Sequence, residues 1–186
     1  MIPQNLTGKL LVAPPNVMDR RFNNTVIYVC KNSPTGSWGV VLNKPIEDVS
    51  IKTIMDKIGY DIKMDGIIHA GGPVDHTTLH FLHTPDILST DSIVNENGIC
   101  VSGDEQFVDH LLNDRIPRRY RVLLGACTWG PSQLEGEIMG QEPWTPEHSW
   151  LIAPANPAIV FGLDGMDQWH AAVDLAARSA VSEWMI

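Results

Sequence analysis

Three observations predict an α+β fold, a mixed sheet with helices packed outside it. Short apolar, β-branched runs are interspersed along the chain with stretches of helical period. The turns Asn32-Ser33-Pro34-Thr35-Gly36 and Asn95-Glu96-Asn97-Gly98 are tight, so the strands they join must pair antiparallel. Helices and strands also share one continuous chain: no repeat, low-complexity segment or linker divides the 186 residues, and residues 1–186 are read as a single domain.

Taken in order, Leu10-Leu11-Val12-Ala13 is a strand cut off by Pro14 and Pro15, and residues 25–30, β-branched and aromatic, are a second. Trp38-Gly39-Val40-Val41-Leu42 is a third, hairpin-paired with the second and ended by Pro45. Ser50 caps the clearest helix: Ile51, Ile54, Met55 and Ile58 make one apolar stripe, Val49 can staple onto Ile54, and Gly59 closes it. Ile67-Ile68-His69-Ala70 then enters the turn Gly71-Gly72-Pro73, and residues 78–83 form a strand stopped by Pro85. The turn at 95–98 feeds Ile99-Cys100-Val101. Ser102 and Glu105 have capping-box spacing before a helix with Phe107, Val108, Leu111 and Leu112 inward. After a Pro- and Trp-rich connection at 142–150 come Leu151-Ile152-Ala153 and Ile159-Val160-Phe161. The last helix, from about Met166, sets Trp169, Val173, Ala176 and Ala180 on one side.

The stretch 123–135 carries the candidate site. It reads as a buried strand passing through a tight glycine-rich turn into a helix, with Gly130 supplying the unusual dihedrals and Pro131 in the first helical position. A helix beginning there aims free backbone N–H groups at whatever lies over Cys127 and Thr128. Leu134 and Ile138 are its apolar contacts and Gly140 its end. The candidate ligand-binding residues are therefore Cys127, Thr128, Trp129 and Gly130, together with Gly71, Gly72 and Pro73 of the neighbouring turn. A thiol at such a junction can become a nucleophile. The plainer reading, a small buried residue at a turn, is preferred because no His or acid is tied to Cys127 by a known spacing.

Composition bounds the rest. With 44% hydrophobic and 19% charged residues the chain is globular rather than disordered. No apolar run reaches membrane-span length, and Met-Ile-Pro-Gln-Asn lacks the basic and apolar regions of a signal peptide, so a cytoplasmic location is expected. Cys30, Cys100 and Cys127 form no CxxC pair and are read as buried, reduced thiols. Net charge is −9, and no Lys or Arg occurs between Arg121 and Arg178, where Glu135, Glu137, Glu142, Glu147, Asp164, Asp167 and Asp174 fall. Such a surface repels phosphate backbones.

His76, His80 and His83 cluster, with His69 and Asp75 upstream, and on a helix His76 and His80 would share a face as metal ligands. On the strand read here His80 and His83 point to opposite faces, so no metal and no cofactor is assigned. Arg115, Arg118, Arg119 and Arg121 are read as a solvated turn rather than a phosphate contact. Trp38 and Trp150 are expected in the core and Trp144 exposed. The chain has no GxSxG, P-loop, HExxH, CxxC or dinucleotide-binding glycine pattern, and no basic second helix of a helix-turn-helix.

Several segments together resemble the AlgH (YqgE) family of bacterial proteins. They are Gly8-Lys9-Leu10-Leu11-Val12-Ala13-Pro14, Phe22 with Thr25-Val26-Ile27-Tyr28-Val29-Cys30, and Gly39-Val40-Val41-Leu42-Asn43-Lys44-Pro45. Gly71-Gly72-Pro73-Val74 with Phe81-Leu82-His83, then Trp129-Gly130-Pro131 through Gln133-Leu134-Glu135, and Trp150-Leu151 with Pro154-Ala155 complete the set in the family's order. The resemblance implies a bifurcated, largely antiparallel sheet rolled into a pseudo-barrel. It implies for function only the label of transcriptional regulator, with no catalytic residues to carry over. The family typically reads Gly-Tyr-Ala-Gly-Trp-Gly where this chain has Gly125-Ala126-Cys127-Thr128-Trp129-Gly130, a tyrosine hydroxyl exchanged for a thiol.

The expectation is a non-enzymatic, cytoplasmic regulatory or protein-interaction module that acts through a protein partner rather than by reading DNA. The alternative is a small-ligand-binding protein or enzyme using the Cys127/Thr128 turn at a helix N-terminus.

Overall fold

The computed structural model describes residues 5–17, 19–141, 143 and 149–184. Trp144 lies outside them. In chain order the elements are β1 (Lys9–Val12), a 3-10 turn (Arg20–Phe22), β2 (Val26–Ser33), β3 (Gly36–Val41), β4 (Pro45–Ser50), α1 (Ile51–Lys57), β5 (Ile67–Ala70) and β6 (Val74–His83). They continue with β7 (Ile93–Val94), β8 (Cys100–Ser102), α2 (Glu105–Leu112), β9 (Tyr120–Trp129), α3 (Gln133–Met139), β10 (Leu151–Pro154), α4 (Pro157–Gly162) and α5 (Gly165–Trp184).

The strands form one sheet in the order β10-β1-β2-β3-β9-β6-β8-β7, with β5 joining β9 and β4 pairing β5. The β5–β9 pairing is parallel and every other pairing among the described residues is antiparallel. Strand β9 is where the sheet divides. Its first half, Val122 to Leu124, lies between β5 and β6, while Cys127, Thr128 and Trp129 pair with β3.

Between the halves stands Gly125, at φ +84°. One residue in that conformation breaks the two-residue alternation of a strand. Leu123 and Ala126, an odd number of residues apart, consequently both face the inner core, and Cys127 and Trp129 are delivered to the outer one.

The core has three parts, matching a forked sheet with two outer faces. The inner face buries Leu10, Val12, Tyr28, Val40, Leu82 and Leu123 beneath Trp169, Ala172 and Ala176 of α5. Outside one arm, Leu11, Ile27, Val29, Cys127 and Trp129 pack with Leu134 of α3 and Trp150. Outside the other, Ile68, Phe81 and Val122 pack with Ile51 and Met55 of α1 and Phe107 and Leu111 of α2. Each such fully buried large aliphatic side chain contributes roughly 1.5–3 kcal/mol of transfer free energy. The rolled ends of the sheet meet where Asn97 Nδ2 donates to the Gly8 carbonyl at 2.9 Å and Asn95 Nδ2 to the Tyr28 hydroxyl at 2.7 Å.

Several local expectations are corrected. Pro45 opens β4 instead of ending a strand, at an edge position where its missing N–H is harmless, opposite His69. The α2 cap is Asp104, whose carboxylate accepts from Phe107 N, because Ser102 is still in β8 and its hydroxyl is committed to His83. Ser50 does cap α1, accepting from Thr53 N, although Ile58 at its end is exposed. Ala172 takes the inward place expected for Ala180, which is exposed.

The largest correction falls on the candidate site. There is no turn at 125–128: β9 runs on to Trp129, and α3 begins only at Gln133, after Pro131 and a left-handed Ser132. Pairing with β3 keeps this segment extended, so Gly125 makes a bulge rather than a turn.

Candidate functional site

Trp129 at the end of β9 and Trp150 before β10 lie on the same outer face, and α3 crosses beside them. Gln133 and Glu137 are spaced i, i+4 on that helix and so share one side of it. Together with Phe22, Arg21, Pro73, Val74, Cys127 and Thr128 they line a cleft of about 210 Å³.

Glu137 organises its floor. Its Oε2 accepts the indole N–H of Trp129 at 3.1 Å and of Trp150 at 3.0 Å, and its Oε1 accepts Gln133 Nε2 at 3.0 Å. Phe22 stands edge-on to Trp150, with ring centroids 5.4 Å apart. At the rim the Arg21 guanidinium lies 5.7 Å over the Phe22 ring and is forked onto Asp19, with Nη2 to Oδ2 at 2.7 Å.

The two loops singled out from the sequence do meet here, in unequal roles. Pro73, Cys127, Thr128 and Trp129 line the cleft. Gly71 and Gly72 are pressed behind it: Gly71 N donates to Leu124 O and Val41 N to Gly71 O, each at 2.7 Å. A Cβ on Gly71 would lie 2.3 Å from the Gly125 carbonyl oxygen, so only glycine fits this crossing of backbones. Gly130 is exposed and not part of the lining, its N–H taken by Gln133 Oε1 at 3.0 Å.

No helix terminus faces Cys127. The thiol is 3% exposed in mid-strand, 3.8 Å from the Gly71 carbonyl. Burial, with the Glu137 carboxylate nearby, pushes its pKa up to about 12, the reverse of what a nucleophile requires. Phe22, Gln133, Glu137 and Arg21 were missed from the sequence. The i, i+4 pair Gln133/Glu137 was visible there, but nothing local shows that two tryptophans 21 residues apart would converge on it.

The cleft brings together Phe22, Pro73, Val74, Trp129 and Trp150, all within the residues 10–179 that the AlgH-like family model matches. The chain belongs to the AlgH-like family. It is 32% identical over 178 residues to a UPF0301 protein of Proteus mirabilis, covering 92% of this chain and 91% of that one. It is 34% identical over 181 residues to one of Afipia carboxidovorans, covering 90% and 82%. The solution structure of the AlgH protein from Pseudomonas aeruginosa superposes with a TM-score of 0.73 at 24% identity, over 94% of this chain and 90% of that one, which is a likeness of fold.

Elsewhere in this AlgH-like chain, polar side chains are buried in two networks. Arg121, expected in a solvated basic run, is 7% exposed; its guanidinium donates to the carbonyls of Leu42 at 2.7 Å, Val160 at 3.1 Å and Leu163 at 2.6 Å. It also pairs with Asp164 at 3.3 Å. His69 Nε2 lies 2.7 Å from Asp164 Oδ2, yet burial and the adjacent Arg121 lower the imidazole pKa, so a neutral ring donates Nε2–H to the carboxylate. That tautomer leaves Nδ1, which has no partner among the described residues, as a bare acceptor, less costly than a stranded N–H.

His83, fully buried, donates Nδ1–H to the Thr84 carbonyl at 2.8 Å and so accepts the Ser102 hydroxyl at Nε2, 2.9 Å away. It stacks on Phe107 while His80 packs on Trp38, which puts the two histidines on opposite faces as expected. Among the described residues no group of three or more His, Cys, Asp or Glu side chains is arranged to hold a metal ion. No helix among them is long and apolar enough to cross a membrane.

Proposed function

We propose that the protein is a non-catalytic interaction module of the AlgH-like family, with the cleft between the Pro73 turn and the β9–α3 corner as its working surface. The observation that carries this reading is the setting of Cys127. The residue best suited to covalent chemistry is sealed in a strand at 3% exposure, while Pro73 and Thr128 beside it are exposed in a cleft lined by aromatic side chains. Aromatic floors with polar rims are recognition surfaces.

Any influence on transcription runs through a partner, because the acidic segment 122–177 carries no Lys or Arg and repels a phosphate backbone. A photo-crosslinking amino acid at Thr128, with Glu96 on the opposite hairpin as control, tests the surface in cells. A discrete protein adduct at 128 that is absent at 96 and lost when Val74→Trp fills the cleft is the expected result. Equal adducts from both positions, or a tight salt-dependent complex with duplex DNA by fluorescence anisotropy, would sink it.

A further inference from the structure

We infer that the cleft receives the guanidinium of an arginine side chain, carried on a basic segment of a protein partner. The inference rests on the interaction reading above and specifies the chemistry of what docks. Glu137 is its basis. The carboxylate is held by three neutral donors, two indole N–H groups and a side-chain amide, and among the described residues no Lys, Arg or His pairs with it. Neutral donors fix its position but leave its charge uncancelled on a floor of aromatic rings, where water is partly excluded.

Among the described residues Oε1 accepts a single hydrogen bond, which leaves capacity for another donor. A cation entering the cleft would therefore find a pre-positioned anion within an aromatic lining of Trp129, Trp150 and Phe22. Preorganisation of this kind lowers the ordering cost of binding.

The shape selects arginine over lysine. A planar guanidinium lies flat on an aromatic face and donates sideways to a carboxylate, which a strongly hydrated ammonium does less well. The chain itself shows the aromatic wall accepting this group: Arg21 lies over Phe22 at the rim. Arg21 is spent on Asp19, forked at 3.1 and 2.7 Å, and does not neutralise Glu137. The α3 helix that carries Glu137 also carries Glu135 and has no Lys or Arg, so a basic segment is the complement for the rest of the partner.

The test uses the full-length, ¹⁵N-labelled protein and reads the indole N–H resonances of Trp129 and Trp150, assigned through single Trp→Phe variants. The probes are a short glycine peptide carrying two arginines and the same peptide with citrulline, a neutral isostere, at constant ionic strength. The arginine peptide is expected to shift both resonances to saturation. The citrulline peptide, and the arginine peptide against Glu137→Gln, should each bind at least about tenfold more weakly.

Because Glu137→Gln could disturb the indole contacts, the arginine–citrulline comparison on the unaltered protein decides by itself. Equal binding of the two peptides, or no shift with either, overturns the inference. N-acetylarginine amide binding as tightly as the peptide overturns its partner half and assigns the cleft to a small cation. None of these failures touches the crosslinking result at Thr128, which depends on the surface and not on its charge.

Discussion

Gly72→Ala is the sharpest test of how the cleft is held. A Cβ at this position would lie 2.2 Å from both the carbonyl carbon and oxygen of Ala126 and 2.7 Å from Cys127 N. All three atoms are backbone of β9, so no side chain can rotate away, and relief requires the loop or the strand to move. Overpacking of that kind costs roughly 1–3 kcal/mol, and the Gly72 φ of +154° adds a conformational term of about 1–3 kcal/mol for any other residue.

Gly59→Ala separates the two contributions. Gly59 is also at positive φ, +84°, but a Cβ there meets nothing within 4 Å, so only the backbone term of about 1–2 kcal/mol remains. In urea unfolding followed by tryptophan fluorescence, with the m-value unchanged, Gly72→Ala should lose about 3 kcal/mol or more and exceed Gly59→Ala by about 2 kcal/mol. A Gly72→Ala variant no less stable than Gly59→Ala would refute the close crossing of the two loops. The same variant should reduce crosslinking from Thr128, since the loop that moves carries Pro73.

Three further outcomes are expected. Arg121→Met strands the carbonyls of Leu42, Val160 and Leu163 and should destabilise by about 3–5 kcal/mol, against about 1 kcal/mol or less for the more exposed Asp164→Asn; similar losses in urea melts would contradict the buried arginine. Burial holds His69, His80 and His83 below their ordinary value of 6.5, so the unfolded chain takes up protons first and stability falls as pH drops below about 6.5. Asp86, Asp104 and Asp164, which burial alone would raise, are held below 3.8 by hydrogen bonds and, at Asp164, by Arg121, so a second loss follows below about pH 4. An unfolding midpoint identical at pH 7.5 and 5.5 would dismiss the first stage, which His83→Gln should shrink. Finally, a Cys127 thiol raised from 9.0 to about 12 has about a thousandfold less thiolate near neutral pH, so iodoacetamide should alkylate it only on unfolding; prompt labelling of the native protein would remove it from the strand.

The elements were legible where a local rule suffices. The stripe at Ile51, Met55 and its Ser50 cap, the hairpin turns at 34–35 and 95–98, and the strand from Val26 depend on residues a few positions apart. The errors came where the deciding partner is distant. Gly125 announces a backbone irregularity, but whether it turns the chain or bulges a strand depends on Ser37, Trp38 and Gly39, which hold Cys127 to Trp129 extended. Arg121 was indistinguishable from its neighbours Arg118 and Arg119 because its acceptors are carbonyls from Leu42 and Leu163. The bifurcated, rolled sheet came from resemblance and is confirmed by the division of β9 between β3 on one side and β5 and β6 on the other. For the candidate site, the 71–73 and 127–130 stretches were legible as glycine-rich punctuation, whereas the tie that organises the cleft, Glu137 to Trp129 and Trp150, was not.

The pairing of β1 with β10 joins Lys9 to Pro154, strands far apart in the sequence that are neighbours at one end of the strand order. During synthesis β1 leaves the ribosome with one edge soon satisfied by β2 and the other open until the distant β10 follows. Such long-range closure is slow, and an open apolar edge is prone to mispairing while it waits. Leu10, Leu11 and Val12, fully buried in the finished protein, would spend that interval as a sticky strand border. The β1–β10 contact thus covers an edge left open since β1 was made, so a nascent chain truncated before Leu151 should engage chaperones far more than one that includes it.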